Sequence, residues 1–129
     1  MKIVYHTKSH IASYLLHWLI SQVLVLGVTY KPDIDDLRES PALDIIKLLS
    51  KLGARVSYHD PFVTSLKAEG LDVAFAELTD ESLRKADCVM IVTDHATYDW
   101  ERIRASAHAF ADYRNVLKRD RPKRDARPR

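Results

Sequence analysis

Residues 23 to 49 read VLVLGVTYKPDIDDLRESPALDIIKLL, and this stretch decides how the chain is organised. It opens with VLVLGV, a continuous apolar run of the kind that marks a strand covered on both faces. It closes in PALDIIKLL, which continues through Ser50, Lys51 and Leu52 to Gly53 with apolar residues at helical spacing. Ser40 stands where an N-cap belongs, Pro41 at the first helical position and Gly53 at the C-terminal stop. Between strand and helix lies a charged connector holding Lys31, Asp33, Asp35, Asp36, Arg38 and Glu39.

The same alternation continues outward. ARVSYHDP (54–61) reads as a second strand ended by Asp60-Pro61, and FVTSLKAEG (62–70) as a short helix stopped by Gly70. DVAFA (72–76) is a weaker third strand, and TDESLRKA (79–86) a helix with Thr79 and Asp80 as capping candidates. DCVMIVTDH (87–95) is another doubly buried strand, YDWERIRASA (98–107) a helix, and HAFADYRNVL (108–117) begins as a final short strand. Repeated strand and helix units predict an α/β fold: a three-layer parallel sheet of about five strands with helices on both faces, joined by right-handed crossovers. Ahead of it, IASYLLHWLIS (11–21) predicts an N-terminal helix capped by Ser9. That segment is about half the roughly 20 residues of a membrane span and carries a histidine. The expected parts are a divergent segment 1–22, a domain 23–117 and a basic disordered tail 118–129.

At 129 residues and 47% hydrophobic content the chain is sized for one domain. The tail, KRDRPKRDARPR, holds seven Lys or Arg against two Asp; subtracting that excess of five from the net +2 leaves the body at −3. The tail has no aromatic residue to stack on a base and two helix-breaking prolines, so the expectation is a solvated end with no nucleic-acid and no membrane partner. One cysteine, Cys88, excludes an intramolecular disulfide and suits a reducing compartment, and no cleavable signal is evident; a cytoplasmic location is expected.

In an open parallel sheet ligands bind beyond the carboxyl ends of the strands, near the point where strand order reverses. Tyr30, Lys31 and Arg38 follow the first strand, His59 and Asp60 end the second, Asp94 and His95 end the fourth, and Asp112, Tyr113 and Arg114 follow the last. The first loop lacks the glycines that let a backbone approach a pyrophosphate; Gly27 is followed by Val28, Thr29, Tyr30 and Lys31. A bulky loop with a cation recognises an anion through side chains. Lys31 is a mobile charge suited to phosphate, and Arg38 and Arg114 offer planar forks. Asp33, Asp35, Asp36 and Glu39 would repel such a ligand unless they turn away; holding Arg38, binding water and capping the helix are roles that spacing does not separate. No His or Cys lies near them in sequence, and no metal site is expected. Asp94 and His95 read as a strand end that caps the next helix, and with no nucleophile beside them no catalytic residue is assigned.

The stretch GVTYKPDIDDLRESPALDIIKLL, with YHDP, ADCVMIVTDHATYDW and DYRNVL, resembles the C-terminal domain of the UDP-glucose/GDP-mannose dehydrogenase family, its wording nearest the UDP-N-acetylglucosamine and UDP-N-acetylmannosamine 6-dehydrogenases. The resemblance runs from residue 23 to about 117. It implies a Rossmann-like domain that closes over a nucleotide sugar, and a two-step NAD-dependent oxidation of the sugar C6 hydroxyl to a carboxylate by a cysteine in a glycine-serine-cysteine-phenylalanine setting. It further implies that Tyr30, Lys31 and Arg114 contact the UDP-sugar and that Arg38 reaches across to NAD, the cofactor being bound mainly by an N-terminal domain. No glycine-rich NAD loop and no glycine-serine-cysteine-phenylalanine segment occurs in the 129 residues, and Cys88 inside an apolar run reads as an inert core thiol. The expectation is therefore a UDP-sugar-binding fragment of an oxidoreductase, inactive alone, that self-associates through the 11–21 helix or pairs with a catalytic half. The alternative is a stand-alone binding or assembly protein that retains the fold.

Overall fold

The structure, a computed structural model, describes residues 3–5, 22–114 and 116–119. The expected helix at 11–21 and the tail beyond 119 lie outside them. Six strands form one sheet: β1 (Ile3–Tyr5), β2 (Gln22–Leu26), β3 (Arg55–His59), β4 (Ala74–Phe75), β5 (Cys88–Ile91) and β6 (Ala109–Asp112). Every pairing is parallel, in the spatial order β1-β6-β5-β2-β3-β4. Five of the strands are those the sequence predicts, and Ile3–Tyr5 adds a sixth at the β6 edge.

From β2 the chain steps outward to β3 and β4, then returns to the other side of β2 for β5 and β6. The strand order thus reverses between β2 and β5. Leu26 pairs with both His59 and Ile91, and Ile91 pairs with Asp112, so four strands end level with one another. The loops that follow emerge side by side along one edge.

The helices among the described residues are α1 (Pro41–Lys51), α2 (Asp80–Lys85), α3 (Trp100–Ser106) and α4 (Val116–Arg119). Alternation along the strands divides the core. Val23 and Val25 of β2, Tyr58, Cys88 and Met90 pack with Ala42, Ile46 and Leu49 of α1 on one face. Leu24, Leu26, Val89, Ile91 and Phe110 pack with Leu83, Ile103, Val116 and Leu117 of the other three helices on the opposite face. Two-sided burial is why β2 and β5 read as unbroken apolar runs.

The caps follow the sequence. The Ser40 hydroxyl accepts from Ala42 N–H with Pro41 behind it, and Gly53 takes a left-handed φ of 92° after α1. Thr79 and Ser82 form a reciprocal capping box on α2. Three expectations need correction. Residues 62–70 make no α-helix, only a 3-10 turn at Lys67–Glu69, because Pro61 and the β-branched Val63 and Thr64 leave too short a run to nucleate one. His95 does not cap α3; Asp99 does, accepting from Arg102 N–H. Lys118 and Arg119, read as tail, close α4.

Candidate functional site

The connector after β2 is built as a closed loop over the strand ends. Tyr30 N–H donates to the Asp36 carbonyl at 2.8 Å, which ties the loop at its neck. Gly27 starts it at φ 82° and passes so near the segment after β5 that a Cβ would lie 2.4 Å from the Thr93 carbonyl oxygen. Thr93 Oγ1 donates to the Thr29 carbonyl at 2.6 Å and Ser40 Oγ to the Val28 carbonyl at 2.6 Å, so both ends of the connector are pinned through backbone.

Beneath the loop lies a buried polar network. Asp60, fully buried, accepts Val28 N–H and His95 Nε2–H on one oxygen and Phe62 N–H on the other, each at 2.8 Å. His95, also fully buried, receives Asp33 N–H on Nδ1 at 2.8 Å, so the neutral ring carries its proton on Nε2. The Thr29 hydroxyl donates to the Lys31 carbonyl at 2.8 Å and presents its oxygen 3.2 Å from His95 Nε2. Burial alone would raise the Asp60 carboxyl, but its hydrogen bonds from His95, Val28 and Phe62 outweigh that and hold it below the ordinary 3.8. A carboxylate held by three donors here is a structural anchor.

Above the network the sequence-predicted residues converge. The Lys31 ammonium lies 5.8 Å from the centroid of the exposed Tyr30 ring. From the β6 side, Arg114 is set by a turn on buried Asp112, whose carboxylate accepts Arg114, Val116 and Leu117 N–H. Its guanidinium then crosses the edge: Nε donates to the Val92 carbonyl at 2.8 Å and Nη2 to the Tyr30 carbonyl at 3.2 Å. Tyr30, Lys31 and Arg114 are thereby brought together from elements more than eighty residues apart. A cleft of about 390 Å³ lies against Tyr30, Lys31, Ile34, Asp36, Arg38 and Glu39.

Arg38 stands apart. Its side chain is 88% exposed and its Nε and Nη2 grip both Asp36 oxygens at 3.0 and 2.9 Å. The hydrogen bond from Arg38 holds the Asp36 carboxyl down to about 2. Asp36 is thus the acidic residue that holds the arginine, while Asp33 accepts Ala96 N–H and ties the connector to the loop after β5. Asp36 and Arg38 line the first cleft and also a neighbouring one bounded by Asp35, Leu37 and Glu69. The His59 ring packs between Phe75 and Tyr98, and Asp94 is half-buried. Cys88 is buried in β5, and burial pushes its thiol up to about 12, so it is no nucleophile. Among the described residues no group of three His, Cys, Asp or Glu could hold a metal ion, and no helix is long and apolar enough to cross a membrane.

A model of the UDP-glucose/GDP-mannose dehydrogenase family, UDP binding domain, matches residues 24–119. The chain belongs to this family. The UDP-glucose 6-dehydrogenase of Rhizobium meliloti (strain 1021) is 34% identical over 108 residues, covering 78% of this chain and 24% of that protein. The UDP-N-acetyl-D-mannosamine dehydrogenase of Methanococcus maripaludis is 35% identical over 77 residues, covering 60% of this chain and 17% of that protein. Among solved structures, the NDP-N-acetyl-D-galactosaminuronic acid dehydrogenase of Methanosarcina mazei Go1 superposes with a TM-score of 0.63 at 28% identity, over 84% of this chain and 24% of that one. The UDP-N-acetyl-mannosamine dehydrogenase Cap5O of Staphylococcus aureus gives 0.61 at 28%, over 85% and 26%. The chain spans about a quarter of the length of the relatives it matches over most of its own length. It is the UDP-binding domain of the family's fold, as the connector and the strand-end motifs led one to expect.

Proposed function

We propose that this chain is the nucleotide-sugar-binding part of an NAD-dependent dehydrogenase that oxidises the C6 hydroxyl of a UDP-hexose to a carboxylate. The observation that carries the reading is the meeting of Lys31 and Arg114 on Tyr30 at the reversal of strand order. A diphosphate is the part of such a ligand with concentrated charge, and two cations on one edge match it. Lys31 supplies a mobile ammonium that leaves the Tyr30 face for a phosphate oxygen. Arg114 contributes charge and also holds the Tyr30 carbonyl, so it shapes the connector while it attracts the anion. Tyr30, 40% exposed, offers a ring face and a hydroxyl to the sugar side.

NAD would supply the hydride acceptor for such an oxidation. The residue here suited to hold it is Arg38: Asp36 occupies the Nε and Nη2 edge, the guanidinium projects into solvent, and its Nη1 edge can take a phosphate oxygen. Its place between the two clefts supports a role joining substrate side to cofactor side. Chemistry at C6 falls to groups other than Cys88.

Titration calorimetry with UDP tests the reading. Lys31→Ala and Arg114→Ala should each lose one charge-assisted phosphate contact, on the order of 1.5–3 kcal/mol, or about tenfold and more in affinity. Two variants that bind UDP as the parent does would refute it.

A further inference from the structure

In the sequence His95 reads as the end of a strand. Its contacts point to another role. The ring is fully buried between the Phe62 ring, at 5.0 Å, and Tyr98, at 5.7 Å, and both nitrogens are engaged. Nε2–H faces Asp60 Oδ2 at 2.8 Å, an anchor in the fixed part of the sheet edge. Nδ1 faces the connector and accepts Asp33 N–H at 2.8 Å. Asp33 has a φ of 63°, a left-handed conformation that Asp adopts more readily than most non-glycine residues and that contacts stabilise. It has two such contacts: the bond to His95, and the Ala96 N–H on its own carboxylate at 2.8 Å. Asp33 lies two residues beyond Lys31, inside the loop that Tyr30 N–H and the Asp36 carbonyl close. The position of Lys31 therefore depends on where Asp33 is held.

We propose that His95 is a positioning residue for ligand binding: fixed by Asp60, it pins the Asp33 backbone through Nδ1 and so preorganises Tyr30 and Lys31 for the anion. The pin removes conformational freedom from the connector before ligand arrives, and affinity gains what ordering would otherwise cost. Asp60 and Thr29 act through the same ring, the first by fixing the tautomer, the second by sharing Nε2–H while holding the Lys31 carbonyl. This rests on the assignment of Tyr30 and Lys31 as ligand contacts, but the pin itself is measurable without ligand.

Two substitutions separate the halves of the ring in the full chain. His95→Gln keeps a donor toward Asp60 and loses the acceptor for Asp33; His95→Asn keeps an acceptor near the Nδ1 place. Amide exchange at Asp33, UDP calorimetry and thermal melting are read on each. In His95→Gln the Asp33 amide should exchange about tenfold faster and UDP affinity should fall about tenfold, the worth of one well-made hydrogen bond, and His95→Asn, which keeps the acceptor but gives up the Asp60 anchor, should recover part of both. Equal Asp33 protection in the parent and His95→Gln overturns the proposal. So does lost protection with unchanged UDP affinity, or an equal loss of affinity in both variants that tracks their melting temperatures. If the parent binds no UDP, the ligand assignment fails separately, and the exchange pattern alone upholds or overturns the pin. If His95→Gln does not fold, nitrogen shifts of the parent ring decide: a proton on Nε2 supports the pin and one on Nδ1 contradicts it.

Discussion

Replacing Asp60 by Asn removes one charge and one acceptor from a fully buried site and leaves the shape intact. The carboxylate takes three hydrogen bonds, two on Oδ2 and one on Oδ1. The best placement of the amide keeps its oxygen toward Val28 and His95 and turns its NH2 against Phe62 N–H. One charge-assisted bond, about 1.5–3 kcal/mol, is then lost, the other two become neutral, and a donor opposes a donor. A loss of about 2–4 kcal/mol follows, a drop of roughly 10 °C in Tm for a domain of this size. Urea unfolding followed by circular dichroism at pH 7 measures it, with an unchanged m-value as the control. The pH dependence adds a second check. The folded-state carboxyl titrates below its ordinary 3.8, so its stabilisation is complete above that value and is lost as pH falls through the lowered one. The gap between parent and Asp60→Asn should thus be constant above about pH 5 and narrow in stronger acid. A loss under about 1 kcal/mol, or a gap that widens on acidification, would refute the assignment of Asp60 as an ionised anchor.

Gly27→Ala should destabilise by about 3 kcal/mol or more, since φ is 82° and the new Cβ meets Thr93 backbone at 2.4 Å; an unfolding midpoint equal to the parent's would contradict that. Cys88 should resist a thiol reagent at pH 8 in the native state and react in step with unfolding in urea, because burial pushes its thiol up to about 12; reaction at the rate of a free thiol in buffer would be the opposite result. Arg38→Ala should leave the melting temperature unchanged, its pair with Asp36 being exposed, and should weaken UDP less than Lys31→Ala does. Equal effects of the two on UDP would contradict the assignment of Arg38 to the cofactor.

The strands and most helices were legible because two-sided burial leaves apolar runs and caps leave marked residues: Ser40, Pro41 and Gly53 bound α1, and Thr79 opens α2. β1 was not, since three residues at a sheet edge carry too little pattern, and the turn at 67–69 was read as a longer helix from its length and its closing Gly70. Tyr30, Lys31 and Arg114 were found from their places after strand ends. What spacing did not reveal is how they are held. Thr29, Asp60 and His95 come from three strand ends and meet only once the strands lie level, and no linear motif records that Asp33 N–H finds a histidine sixty-two residues away. Nor does sequence tell that Asp36, rather than its acidic neighbours, grips Arg38.

Whether this edge binds the diphosphate of a uridine nucleotide is decided by titrating the parent chain with UDP and with NAD at two salt concentrations. UDP should bind more tightly than NAD, with an affinity that falls as salt rises from about 50 to about 300 mM, since Lys31 is exposed and screened over roughly a Debye length. Preference for NAD, or UDP affinity indifferent to salt, would contradict the diphosphate assignment.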